Sequence, residues 1–218
     1  MSSPRGVWGI VLAGGTGNRF GAAKQFARLG ADRLVDMALA AVRPACDGVV
    51  LVLAADVAWD GLPVDAIAGA GPDRSASVRS GLAHVPEDAE VVVVHQASNP
   101  LARTETVRRL VDRVRAGADA AVPGLTPVDV VRRVADGMVV EDLGRDDLVL
   151  VQVPCAFAAA TLRAAHASGL QAVEDTALIA GVGGSVAIIE GDPTNVHVTS
   201  PADLRIAACL RAAISEHP

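Results

Sequence analysis

The chain contains the segment Leu12-Ala13-Gly14-Gly15-Thr16-Gly17-Asn18-Arg19-Phe20-Gly21, followed by Ala22-Ala23-Lys24-Gln25-Phe26. Glycines placed directly after an apolar run let backbone N–H groups come close to phosphate oxygens. A dinucleotide fingerprint starting at Gly15 requires glycine at its sixth place, where Phe20 stands. A phosphate loop of the Walker type requires lysine directly after glycine, and Lys24 follows Ala23. What remains is a glycine turn with Arg19 and Lys24 five residues apart. Two cations beside a phosphate cradle suit a triphosphate whose leaving group is pyrophosphate. They stabilise the charge that builds on the transferring and leaving phosphates. The plain alternative is a glycine-rich connection with solvated cations.

Other residue types narrow the chemistry. There is no tyrosine, so mechanisms that need a phenol are excluded. Cys46, Cys155 and Cys209 are odd in number and far apart. They form neither a metal pattern nor a disulfide framework, which fits a reducing cytoplasm. Cys155 reads as a small buried hydrophobe, His95 as a satisfied core or strand-end histidine, and His197 as either a pH-dependent phosphate contact or an exposed strand end. The balance of 19 basic and 25 acidic residues gives a net charge of −6. That argues against a nucleic-acid partner but allows a local basic pocket. No run of 18 apolar residues occurs, so no membrane span is expected.

The length of 218 residues suits one domain, residues 1–218. Short β-branched runs at 7–12, 49–53, 91–94, 120–122, 149–153 and 186–189 predict strands buried on both faces. Helical patterns lie between them at 34–42, 75–82, 104–115, 158–167 and 202–214, with Asp32 and Asp73 as candidate caps. The alternation predicts an α/β fold, doubly wound around a mostly parallel sheet. One segment breaks it. Valine-rich runs at 130–134 and 138–141 flank Asp136-Gly137, the strongest short hairpin signal. An isolated hairpin is marginal in water. This arm, within 128–147, is therefore expected to project and to pack on a second copy of the chain, making a homodimer.

The glycine loop with its Lys-Gln-Phe ending resembles the signature of the 2-C-methyl-D-erythritol 4-phosphate cytidylyltransferases of the nucleotidyltransferase superfamily. Further motifs agree in order along nearly the whole chain. Gly71 to Leu82 (GPDRSASVRSGL) is similar to G-x-x-R-x-x-S-V-x-x-G-L, and His95 to Pro100 to H-D-A-A-R-P. Asp129 to Arg132 stands where the family has D-T-x-K, and Val153 to Phe157 where it has T-P-Q-x-F. Glu174-Asp175 matches its D-D, and Asn195 to Leu204 its N-x-K-x-T-x-P-x-D-L. The resemblance implies transfer of CMP from CTP to a phosphorylated polyol acceptor, with release of pyrophosphate and use of Mg²⁺. It implies catalytic roles for Arg19 and Lys24, and nucleotide contacts at Ala13, Gly14, Gly15, Thr16, Gly17, Gly71, Arg74, Ser77 and Gln96. It also implies acceptor contacts at Asn99, Val130, Arg132, Arg145, Val153 and His197. No protein metal ligand is expected, so Mg²⁺ would be held mainly by the triphosphate.

The departures from the family pattern fall together. Gln96 replaces the aspartate of H-D-A-A-R-P, and Asn99 its arginine. Val130 and Val153 replace threonines, and His197 a lysine. An amide lacks the charge of a strong Mg²⁺ ligand, and asparagine cannot make arginine's bidentate pair with phosphate. Three readings accommodate this. The first is a working enzyme with compensating acids, for which Glu174, Asp175 and Asp192 are candidates. The second is transfer to a less anionic acceptor. The third is a non-catalytic nucleotide-binding relative. Guanylyltransferases of molybdenum-cofactor maturation share part of the first motif. They need an aspartate-proline pair after the third strand, and Val91 to Pro100 has none.

Overall fold

A computed structural model of the chain describes residues 6–15, 24–170 and 172–216. Thr16, Gly17 and Arg19 lie outside the described residues. In chain order the elements are β1 (Val7–Leu12), β2 (Arg28–Leu29), β3 (Asp32–Arg33), α1 (Leu34–Val42), β4 (Gly48–Leu53), β5 (Ala66–Gly69), α2 (Arg74–Leu82), β6 (Val91–Gln96) and α3 (Thr104–Arg115). They continue with β7 (Ala120–Leu125), β8 (Val131–Ala135), β9 (Met138–Leu143), β10 (Leu150–Val151), β11 (Cys155–Ala158), α4 (Ala159–Ala167), α5 (Asp175–Gly181), β12 (Val186–Glu190) and α6 (Pro201–Glu216).

Among the described residues the main sheet runs β10-β7-β11-β6-β1-β4-β5, and β12 adds to β7. The β1 strand lies parallel to both β4 and β6. Side chains alternate across these strands, so each face has its own core. Val11, Val49, Leu51, Val91 and Val93 meet α1 and α3 on one face, while Ile10, Val50, Val52, Val92 and Val94 meet α2, α4 and α5 on the other. Both faces are dry, which is why these strands read as continuous apolar runs. The fold is the expected mostly parallel, doubly wound α/β sheet.

Two local expectations need correction. Asp32 does not cap α1. Arg33 holds the N-cap position without a side-chain capping bond, and Asp32 sits in β3, ion-paired to Arg211. The run 149–153 is not a buried strand, since only Leu150–Val151 pairs, at an exposed antiparallel edge of β7. The buried strand beside β6 is instead β11, which runs antiparallel to both β6 and β7. By contrast, Asp73 caps α2 by accepting from the Ala76 N–H at 2.6 Å.

The hairpin forms where Asp136-Gly137 predicts it. Both turn residues have positive φ, 49° and 77°, as a type I′ turn requires. Its strands β8 and β9 form a two-stranded sheet of their own, separate from the main sheet. Val130, Val134, Met138, Val139 and Val140 are exposed on it or beside it.

Candidate active site

In an open parallel sheet, ligands bind outside the carboxyl ends of the strands, where the connections diverge. Here that place is the junction of β1 and β6. A cavity of about 410 Å³ opens there. Its walls are Leu12, Gly14 and Gly15 after β1, and Gln96, Ala97 and Ser98 after β6. The turn into α2 adds Gly71, Pro72, Asp73, Arg74 and Ser77, while Lys24, Gln25 and His197 close the sides. A larger hollow of about 640 Å³ lies beside α1, where the charged groups Asp32 and Arg211 already pair with each other.

Gly14 and Gly71 are required by space. A Cβ on Gly14 would stand 2.1 Å from the Ala70 Cβ. A Cβ on Gly71 would stand 2.4 Å from the Ala76 Cβ and 2.9 Å from the Ala76 carbonyl carbon. Around Gly71 the backbone is held by one hydroxyl. Ser77 Oγ accepts from the Gly71 N–H at 3.0 Å and donates to the Asp73 carbonyl at 2.9 Å. Ser77 thus acts as a helix-turn hydroxyl while its residue lines the cavity. Lys24 sits in a 3₁₀ turn, Lys24–Phe26, and its Nζ donates to the Val198 carbonyl at 3.2 Å.

The structure brings together Gly14, Gly15, Lys24, Gly71, Arg74, Ser77, Gln96 and His197. Ala13 lies just behind them, buried, with its N–H bonded to the Val52 carbonyl. Asn99 is only 3% exposed, and its Oδ1 accepts from Gln96 Nε2 at 2.8 Å. The same amide nitrogen lies 3.4 Å from His197 Nε2. Val153 packs against the β11 side of the core, and its carbonyl accepts from Asn195 Nδ2. Val130, Arg132 and Arg145 do not line the cavity. Arg132 pairs with Asp142, and Arg145 donates to the Val128 carbonyl at 2.7 Å.

The candidate replacement acids are not at the cavity wall either. Asp175 is buried and bonded to Arg74 and His166. Asp192 pairs with Arg103 at 2.8 Å, and Glu174 occupies the N-cap position of α5. Among the described residues no three His, Cys, Asp or Glu side chains are grouped to hold a metal ion.

His95 corrects one expectation. It is a core histidine, fully buried, yet neither ring nitrogen has a hydrogen-bond partner. Burial pushes its pKa down to about 4, and the nearby Asn99 backbone offsets little of this. The folded chain therefore refuses a proton that the unfolded chain accepts below about pH 6.5. Stability is complete above that pH and falls on acidification towards pH 4, by up to about 3 kcal/mol. Urea midpoints measured from pH 7 to pH 4.5 should fall less steeply in His95→Leu than in the parent chain. Parallel curves would contradict this account of His95. Cys155 is likewise raised to about 12 by burial, so its thiol is a poor nucleophile.

Comparison with known proteins assigns the chain to a family. The family model described as 2-C-methyl-D-erythritol 4-phosphate cytidylyltransferase matches residues 7–212. The chain belongs to that family. A protein of Nocardia farcinica bearing the same description is 36% identical over 215 residues, spanning 94% of this chain and 93% of its own. A "Bifunctional enzyme IspD/IspF" of Anaeromyxobacter dehalogenans is 37% identical over 223 residues, covering 94% of this chain. The match spans only 56% of that relative, so this chain corresponds to about half of it. The crystal structure of 2-C-methyl-D-erythritol 4-phosphate cytidylyltransferase from Thermus thermophilus superposes with a TM-score of 0.81 at 27% identity. It covers 93% of this chain and 98% of that one. Among the described residues no helix is long and apolar enough to cross a membrane.

Proposed function

We propose that this chain is a CTP-dependent cytidylyltransferase acting on 2-C-methyl-D-erythritol 4-phosphate or a related acceptor. The observation that carries the reading is the cavity at β1 and β6. It gathers the Gly14-Gly15 turn, Lys24 and the Gly71–Ser77 turn within a chain of this family. An acceptor phosphate oxygen attacks the α-phosphorus of CTP. A new P–O bond forms, the α–β bridging P–O bond breaks, and pyrophosphate leaves. Lys24 at the cavity, with Arg19 assigned from sequence, stabilises the charge that builds on these oxygens. The Gly71 backbone and Ser77 line a polar-edged part of the cavity that suits a pyrimidine edge.

Among the described residues Gln96 offers magnesium a neutral amide, Asp73 is the carboxylate residue at the cavity wall, and no three metal-ligating side chains are grouped there, a poor fit to a resident magnesium site. Magnesium in this reading arrives on the triphosphate. The exposed hairpin fits a homodimer, with Val130, Arg132 and Arg145 supplied to the acceptor side of the second copy's cavity.

One observation favours a second reading in which the acceptor is less anionic. The family's arginine position is Asn99, which is buried and engaged with Gln96 rather than presented to the cavity. Gln96→Asp should raise magnesium-dependent turnover about tenfold on a phosphorylated acceptor. Unchanged turnover would mean that position 96 does not limit the reaction.

A thermal-shift panel of CTP, UTP, GTP and ATP, each with and without magnesium, tests the nucleotide half. At about 100 times its Kd a ligand adds roughly 2.7 kcal/mol, a shift of several degrees for a chain this size. A shift with CTP and not with the purine nucleotides is expected. No shift with any nucleotide overturns the reading.

A further inference from the structure

One buried carboxylate ties together three helices that pack on the same face of the sheet. Asp175 is the first residue of α5 and is 1% exposed. One of its oxygens binds the Arg74 guanidinium, from the first residue of α2. The other lies 3.1 Å from His166 Nε2, on α4. His166 Nδ1 in turn lies 3.5 Å from the Ser75 hydroxyl, back on α2. Burial alone would push the Asp175 carboxyl up. His166 and Arg74 outweigh it and hold it below the ordinary carboxylate range. A charge this deep is retained in the fold only with such partners.

The position of Arg74 gives the cluster its meaning. Arg74 lines the nucleotide cavity and stands between Asp73 and Ser77, the two residues that shape the Gly71 turn. One of its guanidinium nitrogens is bonded to a buried anion, so it is held as a strut at the cavity wall. The sequence separation between Arg74 and Asp175 is 101 residues, so no local signal sets this contact.

We infer that Asp175 is a positioning residue for nucleotide recognition: by anchoring Arg74, it fixes the Gly71–Ser77 turn in the shape that reads the pyrimidine. The inference rests on the proposed cytidylyltransferase reading for its ligand but not for its mechanics. Loss of the charge in Asp175→Asn leaves the side-chain volume nearly unchanged while the strut loses its anchor. The Kd and KM for CTP should rise about tenfold, with kcat and the acceptor KM changed less than threefold. Arg74→Met should give a similar rise, and the double variant should be no worse than either single change, because both break one contact.

The experiment is calorimetric titration of CTP into the full chain and these variants, paired with amide hydrogen exchange in the ligand-free protein. Faster exchange at Gly71, Ala76 and Ser77 in Asp175→Asn is expected whatever the nucleotide. If Asp175→Asn does not fold, His166→Asn, which keeps the Arg74 pair, should show a smaller rise of about threefold and intermediate exchange. A CTP Kd within twofold of the parent in the folded variant overturns the inference, as do additive losses in the double variant or unchanged exchange in the turn. If the parent chain binds none of the four nucleotides, the functional reading fails by itself. The exchange data then decide the anchoring separately.

Discussion

Lys24→Ala is expected to lower CMP transfer by about 10²–10³-fold while lowering the melting temperature by only several degrees. Lys24 is half-buried at the mouth of the cavity, and its Nζ donates to the Val198 carbonyl. Val198 is buried, so losing that bond costs about 1–3 kcal/mol. The catalytic cost is larger. In the proposed reaction the ammonium faces charge that increases between ground state and transition state, so its removal appears in kcat as well as in KM. Single-turnover kinetics with saturating CTP separate the two. A variant within threefold of the parent would show that the triphosphate lies elsewhere.

Gly71→Ala carries the second large effect. The added methyl would stand 2.4 Å from the Ala76 Cβ and 2.9 Å from a backbone atom of the same residue. No side-chain rotation relieves a backbone contact, so the turn itself must move. The move breaks the bond from the Gly71 N–H to Ser77 Oγ that sets the pocket. CTP affinity should fall by more than about 30-fold, and stability by about 1–3 kcal/mol, the usual cost of overpacking. Gly69→Ala is the control, because a Cβ there meets nothing within 4 Å. It should change affinity less than twofold. Equal effects at the two positions would mean that glycine content, rather than the shape of the Gly71 turn, governs binding.

The parts of the fold legible in the sequence are those with strong local causes. The bounds of α3, Thr104–Arg115, follow from apolar residues at 107, 110, 111 and 114 with charges opposite. The Asp136-Gly137 turn required positive φ, and only a few residue types accept it. The elements that escaped have weak local causes. The strands β5 (AIAG) and β11 (CAFA) are four residues long and rich in alanine, so only their neighbours in the sheet make them strands. The seven-residue helix α5 is too short to show a period.

The site divides in the same way. Gly14 and Lys24 were visible because loop glycines and cations have a direct chemical reading, and Gly71 through the resemblance of its motif to the family's. Asp175 looked like a spare acid because its partners Arg74 and His166 are set by tertiary packing. Asn99 looked like an acceptor contact. The structure turns it inward onto Gln96, a pairing that no spacing rule contains. His95 looked satisfied, since most buried histidines are, and here neither nitrogen is.

The most direct test is to incubate the full chain with CTP, magnesium and 2-C-methyl-D-erythritol 4-phosphate, measuring pyrophosphate and the cytidine-containing product by chromatography. The account predicts equimolar pyrophosphate and a cytidine diphospho-polyol, formed with CTP and not with ATP or GTP. If CTP binds but neither product forms with this acceptor or with related polyols, even after Gln96→Asp, the proposed transfer reaction is contradicted.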